Sequence, residues 1–303
     1  MTITTPRRTK EREDLAGRLP SSSVRGRGWL PTIIMIAFFV YFMIPLAWLV
    51  IASTKNNADL FSTFGFWFSH HFNLFTNIHA VFAYSNGVFL RWMLNSLIYA
   101  LVSAAGASFL ATAAGYGFAK YQFPAKGLLL GVVLGAIAVP TTALAIPTYL
   151  LFSKIGIVNT PWAIILPSLI NPIGVFLMSV YARDAIPDSL IESGRLDGAS
   201  DIEIFLRIGL RMLVPGLITV FLFSLVSTWN NYFLPLVMLN NPKLYPITVG
   251  LAQLNATANN GGGSQALFSV VVTGSLLSII PLIAAFLLLQ RFWQSGLSAG
   301  AVK

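Results

Sequence analysis

Residues 29–53 read WLPTIIMIAFFVYFMIPLAWLVIAS, a run without a single Asp, Glu, Lys, Arg or His. Crossing a hydrocarbon layer of about 30 Å takes about 20 helical residues, so this run is long enough and oily enough to do it. The rest of the chain agrees. Of 303 residues 56% are apolar and only 10% charged, with a mean hydropathy of +0.75, whereas a soluble domain carries roughly 25% charged residues.

Five further stretches qualify by length and composition, at about 92–119, 127–151, 161–181, 212–236 and 267–290. The expected fold is therefore an all-α membrane protein with six transmembrane helices in one domain over 29–290. Pro140, Pro147, Pro167 and Pro172 interrupt the third and fourth stretches, and proline removes a helical donor and kinks the helix. Such breaks persist in a membrane where protein, not lipid, re-satisfies the backbone.

Lys and Arg concentrate on the cytoplasmic side of membrane proteins. With the N-terminus inside, fifteen of the nineteen cations fall on inner segments, and only Lys55, Arg91, Lys154 and Lys243 fall outside. Both termini are thus expected in the cytoplasm, together with a polar loop at 182–211 between spans 4 and 5. The first 28 residues read as a cytoplasmic, largely disordered tail, because the apolar stretch after them is too long for the h-region of a signal peptide. Residues 291–303 read as a cytoplasmic C-terminal tail. A net charge of +9 and a pI near 10.0 invite a nucleic-acid reading, but the cations flank membrane segments, so no nucleic-acid partner is expected. With no cysteine in the chain, disulfide frameworks and thiolate metal sites are excluded.

In lipid, helices associate through small residues that let backbones approach. Ser103, Ala107, Ala111, Gly115 and Ala119 form such a row on the second span, and Gly127, Gly131 and Gly135 a shorter one on the third. No acid or base lies well inside any span, which argues against an ion-coupled carrier. Intramembrane polarity consists of Asn171, between two prolines, and of Ser227, Thr228, Asn230 and Asn231 beside Trp229. Two readings stand for these groups: a polar translocation pathway for a neutral solute, or interhelical hydrogen bonding. The segment 54–91 is rich in Phe and holds His70, His71 and His79. It reads as an interfacial element with its rings at headgroup level, and no metal site is expected there or elsewhere.

The polar loop reads ARDAIPDSLIESGRLDGASDIEIFLRIGLR from Ala182 to Arg211, and it gathers six of the ten acidic residues. Pro187 and Asp188 suit the first turn of a short helix. Gly198 suits the left-handed residue that ends it, and Ser200 with Glu203 spells a capping box that starts a second helix. The apolar stripe of that second helix is expected at Ile202, Phe205, Leu206 and Ile208. A compact, charged double-helix knob outside the bilayer is fitted to enter a groove on a soluble partner.

Glu192-Ser193-Gly194-Arg195-Leu196-Asp197-Gly198-Ala199, followed by Ile208 and Leu210, resembles the EAA loop of permease subunits of binding-protein-dependent ABC importers. Asn95-Ser96, Ile146 to Tyr149, Gly156 to Thr160, Ile186-Pro187 and Gly296 to Lys303 are similar to stretches of the carbohydrate permeases that include the smaller membrane subunit of the maltose importer. Ser193 and Gly194 stand where that family has two alanines, and Arg211 where it has proline. The resemblance implies a multi-pass permease in a bacterial or archaeal plasma membrane, handling a sugar or related solute and paired with a second homologous permease. It also implies two ATPase subunits and an extracytoplasmic solute-binding protein. Glu192, Ser193, Gly194, Asp197, Gly198, Ala199 and Ser200 would then couple to the ATPases. The chain has no G-x-x-x-x-G-K-[ST] loop, so ATP and Mg would be bound by the partners and no cofactor by this chain. Neither a Ser/His/Asp triad nor any other catalytic constellation is visible.

Overall fold

The computed structural model describes residues 29–260 and 267–299, so the expected tail 1–28 and the last residues of the Gly296–Lys303 run lie outside the described residues. Among the described residues all regular structure is helical. Helix α1 (Trp29–Ser53) has the bounds of the opening run and carries Pro45 inside it. The short α2 (Asn57–Ser62) and α3 (Leu74–Ala83) follow, and then the long α4 (Val88–Lys120). The chain divides between Ala47 and Trp48 into two compact units, and the second, from Trp48 onward, contains every helix after α1.

Helix α4 is the axis of this second unit. Against it lie α8 (Pro172–Ala185) and α11 (Leu210–Trp229). The expected small-residue row explains why: Ser103, Ala107, Ala111 and Gly115 are buried, with Ala119 half-buried. At Gly115 a Cβ would stand 2.5 Å from Met178 Cβ and 2.8 Å from the Ser179 nitrogen of α8. Gly174 of α8 offers a Cβ only 2.8 Å from Val220 of α11, and Gly216 of α11 one 2.8 Å from the Tyr181 ring. Three helices therefore meet at three glycines.

The other glycine row behaves differently. A Cβ added at Gly127, Gly131 or Gly135 would meet no other element within 4 Å, so among the described residues the glycine face makes no helix contact, and α5 touches α8 by other residues. The third expected span is itself broken. Helix α5 (Lys126–Ile137) is 12 residues long, about 18 Å at about 1.5 Å per residue, and turns at 138–144 separate it from α6 (Ala145–Lys154). Pro140 lies in that break, and a residue before proline is steered away from the helical region. Among the described residues five helical stretches, not six, are long and apolar enough to cross a membrane, and 127–151 is not one of them. In the fourth stretch, α7 (Trp162–Ser168) and α8 are separated where Asn171 caps Pro172. In the fifth, α11 stops at Trp229, and residues up to Leu236 pass through a turn into α12 (Phe233–Met238). The last helix, α14 (Phe268–Ala299), continues past Gln290, into the residues expected to form a tail.

At the Val88 end of α4, helix α13 (Ile247–Asn260) closes the bundle. Its Gly250 lies flat on the indole of Trp92, whose Nε1 donates to the Pro242 carbonyl at 2.9 Å. Asn95 of the Asn95-Ser96 pair donates to the carbonyls of Lys243 and Tyr245, and Ser96 accepts from the Ile247 N–H at 2.7 Å.

Gly115→Ala should destabilise the chain by about 1–3 kcal/mol, because the new methyl meets backbone and cannot be accommodated by a rotamer change. Gly131→Ala, facing open space, should stay within about 0.5 kcal/mol of the parent or gain. Thermal unfolding midpoints of the two variants in one detergent check the contrast.

Candidate functional site

The polar loop folds as two helices, as its punctuation requires. Helix α9 (Asp188–Leu196) begins directly after Pro187, which occupies the cap position and not the first turn. Its end is a Schellman turn: the Gly198 N–H donates to Arg195 O and the Ala199 N–H to Gly194 O, both at 3.0 Å, while Gly198 holds φ +82°. Ser200 then caps α10 (Asp201–Ile204). The Ser200 hydroxyl oxygen accepts from the Glu203 N–H, and the Glu203 carboxylate accepts from the Ser200 N–H at 3.0 Å.

The second helix does not stop where the knob ends. After Ile204 the chain makes a π-helical segment, Phe205–Gly209, and runs on into α11. The wider turn shifts the helical register, so the expected stripe is kept only in part, with Phe205 and Ile208 half-buried. Ile204 is the buried residue at 1% exposure, whereas Ile202 is 71% exposed and Leu206 46%. Phe205, as its place in the stripe requires, turns to the bundle, with its ring 5.1 Å from that of Tyr116 of α4, and Gly209 passes beside the same tyrosine.

Gly194 is buried on the inner face of α9, where a Cβ would stand 3.1 Å from Ile204. Glycine at this position allows the two short helices to close on each other. Ile186, Ile191 and Ile204 share one core with Ala111, Tyr116, Met178, Leu213 and Val220 of the three central helices. Although the helix is interrupted at Ile186-Pro187, the apolar core runs from the knob into the bundle. Lys120, at the end of α4, fastens the joint: its ammonium donates to Ile186 O at 2.5 Å, Asp188 Oδ1 at 2.8 Å and Arg183 O at 3.3 Å. The hydrogen bond and charge of Lys120 hold the Asp188 carboxyl below its ordinary value of 3.8. Arg195 bridges to Asp201 at 3.0 Å across the turn and lies over the Tyr121 ring.

Of the residues singled out in the loop, Glu192, Ser193, Asp197, Gly198 and Ser200 are exposed, Ala199 is half-buried and Gly194 is buried. Two apolar neighbours not singled out for this role, Leu196 at 89% exposure and Ile202, stand out on the same knob. Helical spacing could have found Leu196, which lies five residues after buried Ile191 and so on the opposite face of α9. The exposed surface combines acids with bare aliphatic groups, a mixture suited to a protein groove.

The intramembrane amides are placed separately from the knob. Asn171 accepts from the Gly174 N–H at 2.7 Å and donates to Ser224 Oγ of α11 at 2.8 Å, so its amide both caps α8 and links two helices. Ser224 lies one turn from Ser227, which is exposed. Asn230 ends α11, and Asn231 accepts from the Leu234 N–H at 3.4 Å and, through its carbonyl, from Thr248.

A family profile described as the inner membrane component of binding-protein-dependent transport systems matches residues 107–295, from the middle of α4 through the knob into α14. The chain belongs to that family. It is accordingly a multi-pass plasma-membrane component of a transport system and not its ATPase. It is 29% identical over 278 residues to the arabinooligosaccharides transport system permease protein AraQ of Halalkalibacterium halodurans, covering 91% of this chain and 96% of that one. With the lactose transport system permease protein LacG of Rhizobium radiobacter it shares 29% identity over 262 residues, 86% of this chain and 90% of the relative. Its fold is similar to a chain in the crystal structure of a bacterial ABC transporter involved in the import of the acidic polysaccharide alginate. The TM-score there is 0.74 at 19% identity, covering 95% of this chain and 100% of the other.

Gly198→Ala places a Cβ in the left-handed region at a cost of about 1–2 kcal/mol, and amide hydrogen exchange of residues 194–204 should rise accordingly. The Asp188 carboxyl is depressed in the folded state, so its stabilising contribution is complete above pH 3.8 and disappears as pH falls through the lowered folded value. Lys120→Met should remove that acid-side loss from the exchange profile of the 183–190 turn.

Proposed function

We propose that this chain is one of two permease subunits of an ATP-driven ABC importer for a sugar or related neutral solute, and that its 182–211 knob is the element that seats in an ATPase subunit. The observation that carries the coupling role is the continuity of the knob's core with the central helices through Ile186, Ile191 and Ile204. A push on the exposed face of α9 cannot be absorbed at a hinge between knob and bundle and is passed to α4, α8 and α11 together.

The distribution of Lys and Arg supports a cytoplasmic knob and cytoplasmic termini. In this topology the broken segment 126–154 re-crosses the bilayer as the sixth span, with its interrupted backbone sheltered by the second permease subunit, against which Gly127, Gly131 and Gly135 have room to pack. Two ATPase subunits would supply ATP and Mg binding from the cytoplasmic side, and a solute-binding protein would deliver cargo from the other. The names of the relatives, which handle arabinooligosaccharides and lactose, support a carbohydrate. So does a membrane interior whose polar groups are amides and hydroxyls, which match the hydroxyls of a neutral sugar. Ser227, Asn230 and Asn231 are the groups of this chain placed to meet such a solute, with Asn171 positioning α8 against Ser224 beneath them.

Glu192→Ala and Gly198→Asp complexes should assemble, yet their solute-stimulated ATP hydrolysis should fall by about tenfold or more, as follows from losing ~1.4 kcal/mol or more of docking free energy. Reconstituted vesicles with the full set of subunits provide the assay. Normal stimulation and normal uptake in both variants would refute the coupling role.

A further inference from the structure

The segment between α1 and α4 has its polarity turned inside out. Lys55 is 1% exposed, and its ammonium donates inward to Thr63 Oγ1 at 2.9 Å and to Phe64 O at 2.8 Å. Asp59 accepts from Ser69 Oγ at 2.8 Å, and Asn77 donates inward to the carbonyls of Ser53 and Lys55. Phe61, Phe64, Trp67, Phe72 and Phe75, by contrast, are between 60% and 76% exposed. In water this arrangement is unfavourable twice over, since it buries an ammonium and bares five rings.

The rings are not the tips of a loose strand. The Asn73 N–H donates to Thr54 O at 2.8 Å, which returns the loop to the end of α1. Asn57 and Ser269 exchange two hydrogen bonds, at 2.9 Å and 3.1 Å, which fixes α2 beside the first turn of α14, and Phe61 meets the Phe268 ring edge-on at 5.0 Å. The segment is thus held level with the point where two apolar helices, α1 and α14, begin or end.

We propose that this segment is a membrane-seated paddle, with Phe61, Phe64, Trp67, Phe72 and Phe75 lying in the lipid headgroup and upper acyl region and Lys55 acting as the internal staple that keeps their backbone folded. The occupant of the surface is lipid. Between Asn56 and Gly87 Asp59 is the single charged side chain besides the histidines, and it is turned to Ser69, so the ring-bearing face offers a protein partner little charge to read, while phenylalanine and tryptophan are the side chains that interfacial segments bury at the headgroup and acyl boundary. By holding the outer ends of α1 and α14 at a constant depth, the paddle gives the moving helices a fixed reference in the bilayer. Its placement on the extracytoplasmic leaflet rests on the topology proposed above; its contact with lipid does not.

The absence of cysteine makes the test direct. A nitroxide label on Phe64→Cys, and separately on Phe72→Cys, is examined in the assembled transporter in phosphatidylcholine–phosphatidylglycerol liposomes. Relaxation enhancement by oxygen, which concentrates in lipid, should exceed that by a water-soluble nickel chelate several-fold at both sites. Dominant nickel enhancement would show the rings in water, and low access to both reagents would show them covered by protein; either result overturns the proposal. Sidedness is read independently from Ser85→Cys in the turn after α3. Labelling of this residue by an impermeant maleimide only from the cytoplasmic face would overturn the topology and leave the lipid contact standing. Lys55→Met should lower the oxygen-to-nickel ratio at Phe64→Cys toward unity, whereas an unchanged ratio would remove Lys55 from the account.

Discussion

Everything in the second unit depends on how closely α4, α8 and α11 approach at Gly115, Gly174 and Gly216. Lipid provides no hydrophobic force to press helices together, so contact must come from van der Waals packing over short distances. The glycines allow backbone to lie against backbone, and the small residues Ser103, Ala107 and Ala111 extend the same seam. At the Lys120 end the seam opens directly into the isoleucine core of the knob. A polar appendage and a membrane bundle have become one packed object through this shared set of side chains.

That continuity gives the π-helical segment its meaning. Phe205–Gly209 joins α10 to α11 without a loop, and the extra residue in its turn directs Phe205 onto Tyr116. Segments of this kind are uncommon and recur at functional sites. Here it sets the angle at which a surface helix becomes a membrane helix, and Lys120 and the Schellman turn at Gly198 fix the other two corners of the same joint.

Much of this is legible in the sequence because the signals are local. The bounds of α1 follow from a run of apolar residues, the turn at Gly198 from glycine's tolerance of positive φ, and the start of α10 from Ser200 and Glu203. The buried row on α4 follows from four-residue spacing of small side chains. What escapes a reading of the sequence is non-local. Pro140 marks a possible kink, but only the folded chain shows that α5 ends there and that 127–151 is two short helices. The π segment breaks the 3.6-residue period on which the stripe Ile202, Phe205, Leu206 and Ile208 depends, so periodicity passes over Ile204 as a core residue. Gly127, Gly131 and Gly135 carry the spacing of a contact without a partner among the described residues, and spacing alone cannot say what would supply one. The exposed Leu196 and Ile202 are hidden in a loop whose charges draw attention first.

The central claim is that knob and bundle move as one body. It is tested most directly by the distance between nitroxide labels on Leu196→Cys at the knob and Leu101→Cys on α4, measured by double electron–electron resonance in the assembled transporter with and without ATP. The account predicts one narrow distance distribution that does not change with nucleotide. A shift of the maximum by several ångströms, or a second population on adding ATP, would show the knob moving on its own and would contradict it.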